Sequence, residues 1–99
     1  MKISKINENG IITFALEGRL NTATAPQLQD ALTHAFVEAS QIHLDFSKLV
    51  YISSIGLRVL LMGQKTAIAK NAAMTISGVS EEIMEVLDMT GFSDILTIV

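Results

Sequence analysis

An α/β fold, a mixed sheet with helices packed against it, is what this 99-residue sequence predicts. Three observations lead there. Runs of period-two alternation and runs of helical period succeed one another in the order β-β-α-β-α-β-α-β. The first two strands are joined by Asn9-Gly10, a pair that favours positive φ and so a tight hairpin, while the later strands are separated by helices and are most simply parallel neighbours. Finally, hydrophobic residues make up 49% of the chain against 17% charged, enough apolar surface to offset chain ordering and too little charge for disorder. No linker-like composition or internal repeat interrupts the chain, so one domain over 1–99 is expected.

The first strand is Lys2 to Ile6. In the second, Ile11 to Glu17, the residues Ile12, Phe14 and Leu16 alternate with Thr13, Ala15 and Glu17, the pattern of a half-buried strand. Thr24-Ala25-Pro26-Gln27 reads as a helix start, with Thr24 as N-cap, proline in the first turn and Gln27 reaching back. Leu28, Leu32, Ala35, Phe36 and Ala39 then share one face of a helix over about 25–39. Ile42, Leu44 and Phe46 alternate in a third strand that is expected to end near Asp45-Phe46-Ser47. A second helix begins at Ser53-Ser54 and runs to about Lys70, its apolar set of Leu57, Leu60, Leu61 and Ile68 enlarged by Ile55, Val59 and Met62. Ala73 to Ser77 forms a short fourth strand. Ser80 caps a third helix whose first turn, Glu81-Glu82, suits the positive end of the helix dipole. Ile83, Val86, Leu87 and Thr90 face inward, Gly91 supplies a left-handed C-cap, and Ile95 to Val99 forms a last strand.

Composition narrows the functional classes. With no cysteine, the chain can be neither a disulfide scaffold nor a thiolate zinc site nor a cysteine hydrolase, and its makeup fits a reducing, cytoplasmic setting. The N-terminal residues carry charges without a following apolar stretch, so no signal peptide is expected, and no run is long and apolar enough to span a bilayer. All seven Lys and Arg lie in residues 1–70 beside five acids, whereas residues 71–99 hold five acids and no base. An acidic final third, with no basic stripe interleaved with aromatics, argues against nucleic-acid binding.

Catalytic and metal constellations are weak. His43 and Asp45 point to one face of a strand, but no Gly-x-Ser-x-Gly elbow accompanies them, and a hydrolase based on Ser54 has no support beyond the serine itself. His34 and His43 lack the spaced partners of a metal site, the acids of the third helix suit a solvated face, and no glycine loop cradles phosphate. No catalytic residue, metal or cofactor is therefore assigned. Ser53-Ser54 is more informative. A strand feeds a short loop that delivers two hydroxyls to the start of an apolar helix, where backbone N–H groups and the dipole favour anions. An N-cap explains one serine. Ile55 and Val59 are expected to stay partly exposed beside Leu57, Leu60 and Leu61, leaving an apolar patch suited to a partner.

The segment Leu44-Asp45-Phe46-Ser47-Lys48-Leu49-Val50-Tyr51-Ile52-Ser53-Ser54-Ile55-Gly56-Leu57-Arg58-Val59-Leu60-Leu61 resembles the signature of STAS domains, the family of bacterial anti-sigma factor antagonists. Glu17-Gly18-Arg19-Leu20-Asn21-Thr22-Ala23-Thr24-Ala25 is similar to the family's second recurring stretch. The resemblance extends over essentially the whole chain. It implies a mixed central sheet with helices largely on one side, and it maps the family's phosphoacceptor onto Ser54. Three positions depart from the common pattern: Ser53 where the best-known members have Asp, Asn21 where Asp is usual, and Ile55 where a small residue is usual.

The same resemblance implies a phosphorylation-controlled binding module and not an enzyme. Its partners would be an ATP-dependent serine kinase that doubles as an anti-sigma factor, and a phosphoserine phosphatase. Asn21, Thr22, Ser53, Ser54, Ile55 and Arg58 are the expected partner-binding residues, with Ser54 exposed at the helix boundary. The alternative is a soluble STAS accessory subunit of a membrane lipid-transport ATPase complex.

Overall fold

The computed structural model describes residues 1–99. Strands β1 (Lys2–Glu8) and β2 (Ile11–Leu20) form the hairpin, followed by α1 (Ala25–Glu38), β3 (Gln41–Ile52), α2 (Ser54–Ala69), β4 (Ala73–Ser77), α3 (Glu81–Thr90), a 3-10 turn at Phe92–Asp94 and β5 (Thr97–Ile98). The sheet order is β1-β2-β3-β4-β5, with β1 antiparallel to β2 and every later pair parallel. Asn9 and Gly10 both have positive φ, 54° and 78°, as a two-residue hairpin matching the strand twist requires.

Alternation places Ile12, Phe14 and Leu16 of β2, Ile42, Leu44 and Phe46 of β3, and Met74 and Ile76 of β4 on the buried face. There they meet Leu28, Leu32 and Phe36 of α1, Leu57 and Leu60 of α2, and Ile83 and Leu87 of α3 in one core. The helices thus cover a single face of a mixed sheet. The opposite face carries a row in register, Thr13, His43, Thr75 and Thr97, and no helix covers it.

Strand β3 continues to Ile52 instead of ending near Ser47, because β2 continues to Leu20 beside it. Two register shifts, between Ala15 and Glu17 and between Gly18 and Arg19, let Lys48, Leu49, Tyr51 and Ile52 keep pairing. Past Phe46 the buried positions are Leu49 and Ile52, a spacing of three that strict alternation does not anticipate.

The start of α1 also differs. Thr24 already has helical torsions and makes no side-chain cap bond to the helix. Its hydroxyl instead donates to the Arg19 carbonyl (2.7 Å) and accepts from the Asn21 N–H (2.9 Å). Asn21 organises the turn ahead of the helix, its Oδ1 accepting from the N–H groups of Ala23 (3.0 Å) and Thr24 (3.1 Å) and its carbonyl from the Ala25 N–H (2.8 Å).

Helix α2 buries Val59, expected to be partly exposed, along with Gly56 and Gly63, whose lack of side chains lets neighbouring elements approach. Ile68, expected inward, is exposed. Thr90 is exposed as well and returns its hydroxyl to the Val86 carbonyl (2.8 Å). Ser80 and Gly91 cap α3 as anticipated, Gly91 at φ 79°. The last strand shortens to Thr97–Ile98. No helix is long and apolar enough to cross a membrane.

Candidate functional site

In a parallel sheet with crossover helices, the C-terminal strand ends and the following helix N-termini gather at one edge of the domain. Here Leu20 leads through residues 21–24 into α1, Ile52 leads through Ser53 into α2, and Ser77 leads to Ser80 and α3. The Ser53 N–H donates to the Leu20 carbonyl at 2.9 Å, which ties the first two junctions together. Gly56 presses the same point from the helix side. A Cβ there would lie 2.7 Å from Leu20 Cγ and 3.1 Å from Ile52 Cγ1, so α2 starts this close to the sheet only because residue 56 has no side chain.

The adjacent serines have different surroundings. Ser53 has extended torsions and its Oγ accepts from the Gly56 N–H at 3.2 Å, the geometry of an N-cap. Ser54 is the first residue of α2, exposed, and its hydroxyl has no hydrogen-bond partner within the protein. Ile55 is half-buried and packs against the core, while Arg58, one turn beyond Ser54, is exposed. Across the junction Thr22 is exposed and Asn21 is half-buried, its side chain engaged by the turn ahead of α1. With Val59 buried, the apolar part of this surface on α2 reduces to the outer side of Ile55, with Met62 two turns along from Ser54.

Other residues join this edge that sequence reasoning left out. Val50 is 64% exposed and Tyr51 40%, both on the β3 extension leading to Ser53. The Arg19 guanidinium lies 4.2 Å from the Tyr51 ring centroid, a cation–π contact that holds both side chains at the rim. Their pairing depends on the shifted register of β2 and β3, and the only sequence signal is the loss of alternation after Phe46.

The histidines and Asp45 lie apart from this edge in their bonding. His43 contacts the Thr75 hydroxyl through Nδ1 and the Ser77 hydroxyl through Nε2, both at 2.7 Å, on the bare face of the sheet. Both ring nitrogens are thus engaged by β4, and neither serves Ser54. The Asp45 carboxylate instead accepts from the Ser47 N–H at 2.9 Å; that bond, then the Ser47 hydroxyl, holds its pKa below the ordinary value. His34 contacts the Asp30 carbonyl at 2.7 Å on the exposed side of α1. No three His, Asp or Glu side chains come together in a metal-binding group.

What this edge can do is present a hydroxyl, a guanidinium and a few apolar side chains on a rigid strand-to-helix junction. Comparison with known proteins agrees on the frame. The family profile described as STAS domain matches residues 2–99. A Bordetella bronchiseptica protein, BtrV, provisionally described as an anti-sigma factor antagonist, is 29% identical over 99% of this chain and 85% of its own. The anti-sigma-B factor antagonist of Listeria monocytogenes is 26% identical over 88% of this chain and 77% of its own. Among solved structures, the Bacillus cell fate determinant SpoIIAA in its phosphorylated form superposes with a TM-score of 0.77, covering 99% of this chain and 91% of that one; at 15% identity this likeness speaks for the fold alone.

Proposed function

Because this chain belongs to the STAS domain family, we propose that it is an anti-sigma factor antagonist that works by binding and not by catalysis. In this reading the unphosphorylated domain holds an ATP-dependent serine kinase that doubles as an anti-sigma factor, and so frees a sigma factor. Phosphate on Ser54 releases the kinase, and a phosphoserine phosphatase resets the switch. The names of the relatives support the antagonist role. The observation that carries the reading is the contrast at the junction: Ser53 is committed to capping α2, while the Ser54 hydroxyl is exposed and unpartnered.

Phosphorylation adds about −1.5 to −2 charge and three acceptor oxygens. At the first residue of a helix that charge sits at the favourable end of the dipole, so the fold tolerates it. A partner pressed against Ser54, Ile55, Arg58, Asn21 and Thr22 would have to desolvate a near-dianion or accept like charge beside it. Such an effect can reach several kcal/mol, and about 3 kcal/mol weakens binding more than a hundredfold.

The test begins with a pull-down from source cells, with and without ATP, followed by calorimetry against the purified kinase. Phosphorylated protein should bind at least a hundredfold more weakly than unmodified protein, Ser54→Asp should fall between them, and Ser54→Ala should bind constitutively and take no phosphate. Equal affinity for all forms would end this reading. Phosphate transfer onto Ser54→Ala would move the acceptor to another serine. Recovery of a transporter ATPase in place of a kinase would favour the accessory-subunit alternative.

A further inference from the structure

Taking Ser54 as the phosphoacceptor, a reading on which this step rests, we infer that Arg58 is the internal counter-ion of the phosphate. Modification then changes the docking edge twice, adding an anion and withdrawing a cation that the unmodified protein offers to its partner.

Ser54 and Arg58 are four residues apart in the first turns of α2 and both are exposed, so they share one side of the helix with Cβ atoms roughly 5–6 Å apart. Arg58 has no competing carboxylate on its own helix: Ser54 to Ala69 contains no Asp or Glu, and the other residues one turn away are Ile55, Leu61 and Met62. The one salt bridge of the protein, Lys5 to Glu38 at 3.1 Å, involves β1 and the far end of α1. Arg19, the other guanidinium near this edge, is already stacked on Tyr51.

An anion placed N-terminal to a cation at this spacing is the favourable orientation, because each charge also lies toward its preferred end of the helix dipole. A guanidinium can moreover donate two parallel N–H bonds to two phosphate oxygens, which fixes the geometry as well as the charge. In the unmodified protein Ser54 offers only a neutral hydroxyl. Arg58 then stays in solvent, available to a carboxylate on the partner.

The experiment needs neither kinase nor partner. Phosphoserine is introduced at position 54 during translation, and its second ionisation is followed by phosphorus NMR in the otherwise unaltered protein, in Arg58→Gln and in Arg58→Lys. The charged groups of the neighbouring elements, Glu17 and Arg19 of β2, Lys48 of β3 and Glu81 and Glu82 of α3, are common to all three proteins and cancel in the comparison. The midpoint is expected about 0.3 unit or more lower with Arg58 than with Gln, and Lys should retain most of the difference. Equal midpoints for Arg and Gln would overturn the inference, as would a Lys variant that titrates like the Gln one. A midpoint that depends on Arg58, in a protein whose phosphorylation leaves kinase affinity unchanged, would uphold the ion pair and sink the switch. The reverse pair of results would do the opposite.

Discussion

Helices α2 and α3 begin with the same device. Ser53 and Ser80 have extended torsions, and each Oγ accepts at 3.2 Å from the N–H three residues on, Gly56 in one case and Ile83 in the other. The next residues differ. Ser80 is followed by Glu81 and Glu82, whose carboxylates balance the positive end of α3, whereas the first turn of α2 contains no acid and opens with Ser54 and Ile55. One helix start carries permanent negative charge and the other carries none. What sets the candidate site apart is therefore less its serine cap, which is shared, than the absence of built-in charge beside it. A charge added there by modification is new to the surface; at α3 it would merely add to existing charge.

The contrast between the two helix starts is tested most severely by making α2 begin as α3 does. Ser54→Glu with Ile55→Glu should leave the domain folded, since Ser54 is exposed and Ile55 only half-buried, yet reduce affinity for the proposed kinase partner on the order of a hundredfold by calorimetry. Circular dichroism separates loss of binding from loss of fold, and unchanged affinity in a folded variant would remove the charge argument.

Next in size is Gly56→Ala, whose new methyl would meet Leu20 and Ile52. It should cost about 1–3 kcal/mol by urea denaturation, with α2 displaced from the sheet, and a neutral result would show that the junction is slacker than these distances imply.

Smaller still, Ser53→Ala and Ser80→Ala should each cost about 1 kcal/mol, in nearly equal measure, because the two caps are geometrically alike. A clearly larger loss at Ser53 would mean that it does more than cap. Glu81→Gln with Glu82→Gln should remove a few tenths of a kcal/mol from stability, an effect that added salt erases.

The smallest effect expected is at acid pH. Hydrogen bonds from Ser47 depress the folded-state pKa of Asp45, so its contribution is present above the unfolded carboxylate range and is lost as pH falls through the depressed value. Asp45→Asn should therefore lower stability at neutral pH by a small amount and flatten the limb of the stability–pH curve below about pH 4, so that the two proteins converge in acid; an unaltered acid limb would count against the bond.

Features determined by neighbouring residues were legible in the sequence. The Asn9-Gly10 hairpin, the Ser80 cap and the Gly91 C-cap each follow from the torsions or hydrogen bonds that one or two residues favour. Features determined across the sheet were not. The extension of β3 to Ile52 needs two register shifts against β2, and period-two alternation lapses after Phe46 without locating them. The position of Thr24 before Ala25-Pro26 predicts the cap of α1, but the Arg19 carbonyl draws the threonine hydroxyl away and Asn21 binds the Ala23 and Thr24 N–H groups in the turn ahead of the helix.

The candidate site divides in the same way. Ser53 and Ser54 stand out at a strand-to-helix junction, and the resemblance to STAS domains distinguished one from the other. Arg19 and Tyr51 lie far apart in the chain and come together only through the shifted pairing. The surface expected from Val59 does not exist, because the face of α2 that meets the core is wider than its leucines alone suggest.

The clamp at Gly56 bears on how an enzyme would recognise this protein as a substrate. The Ser53 N–H bond to the Leu20 carbonyl and the close approach of Gly56 to Leu20 hold the Ser54 hydroxyl in register with a strand more than thirty residues earlier in the chain. An enzyme acting on Ser54 therefore meets a helix start and its neighbouring loop, not an extended stretch of sequence. Drawing residues 52–58 out into an active-site cleft would expose Leu57, which is buried, and break the cap, so the proposed modification of Ser54 would have to proceed on the intact surface. A short peptide copying residues 48–60 would share every side chain of this segment and still lack the shape that the folded domain presents around Ser54.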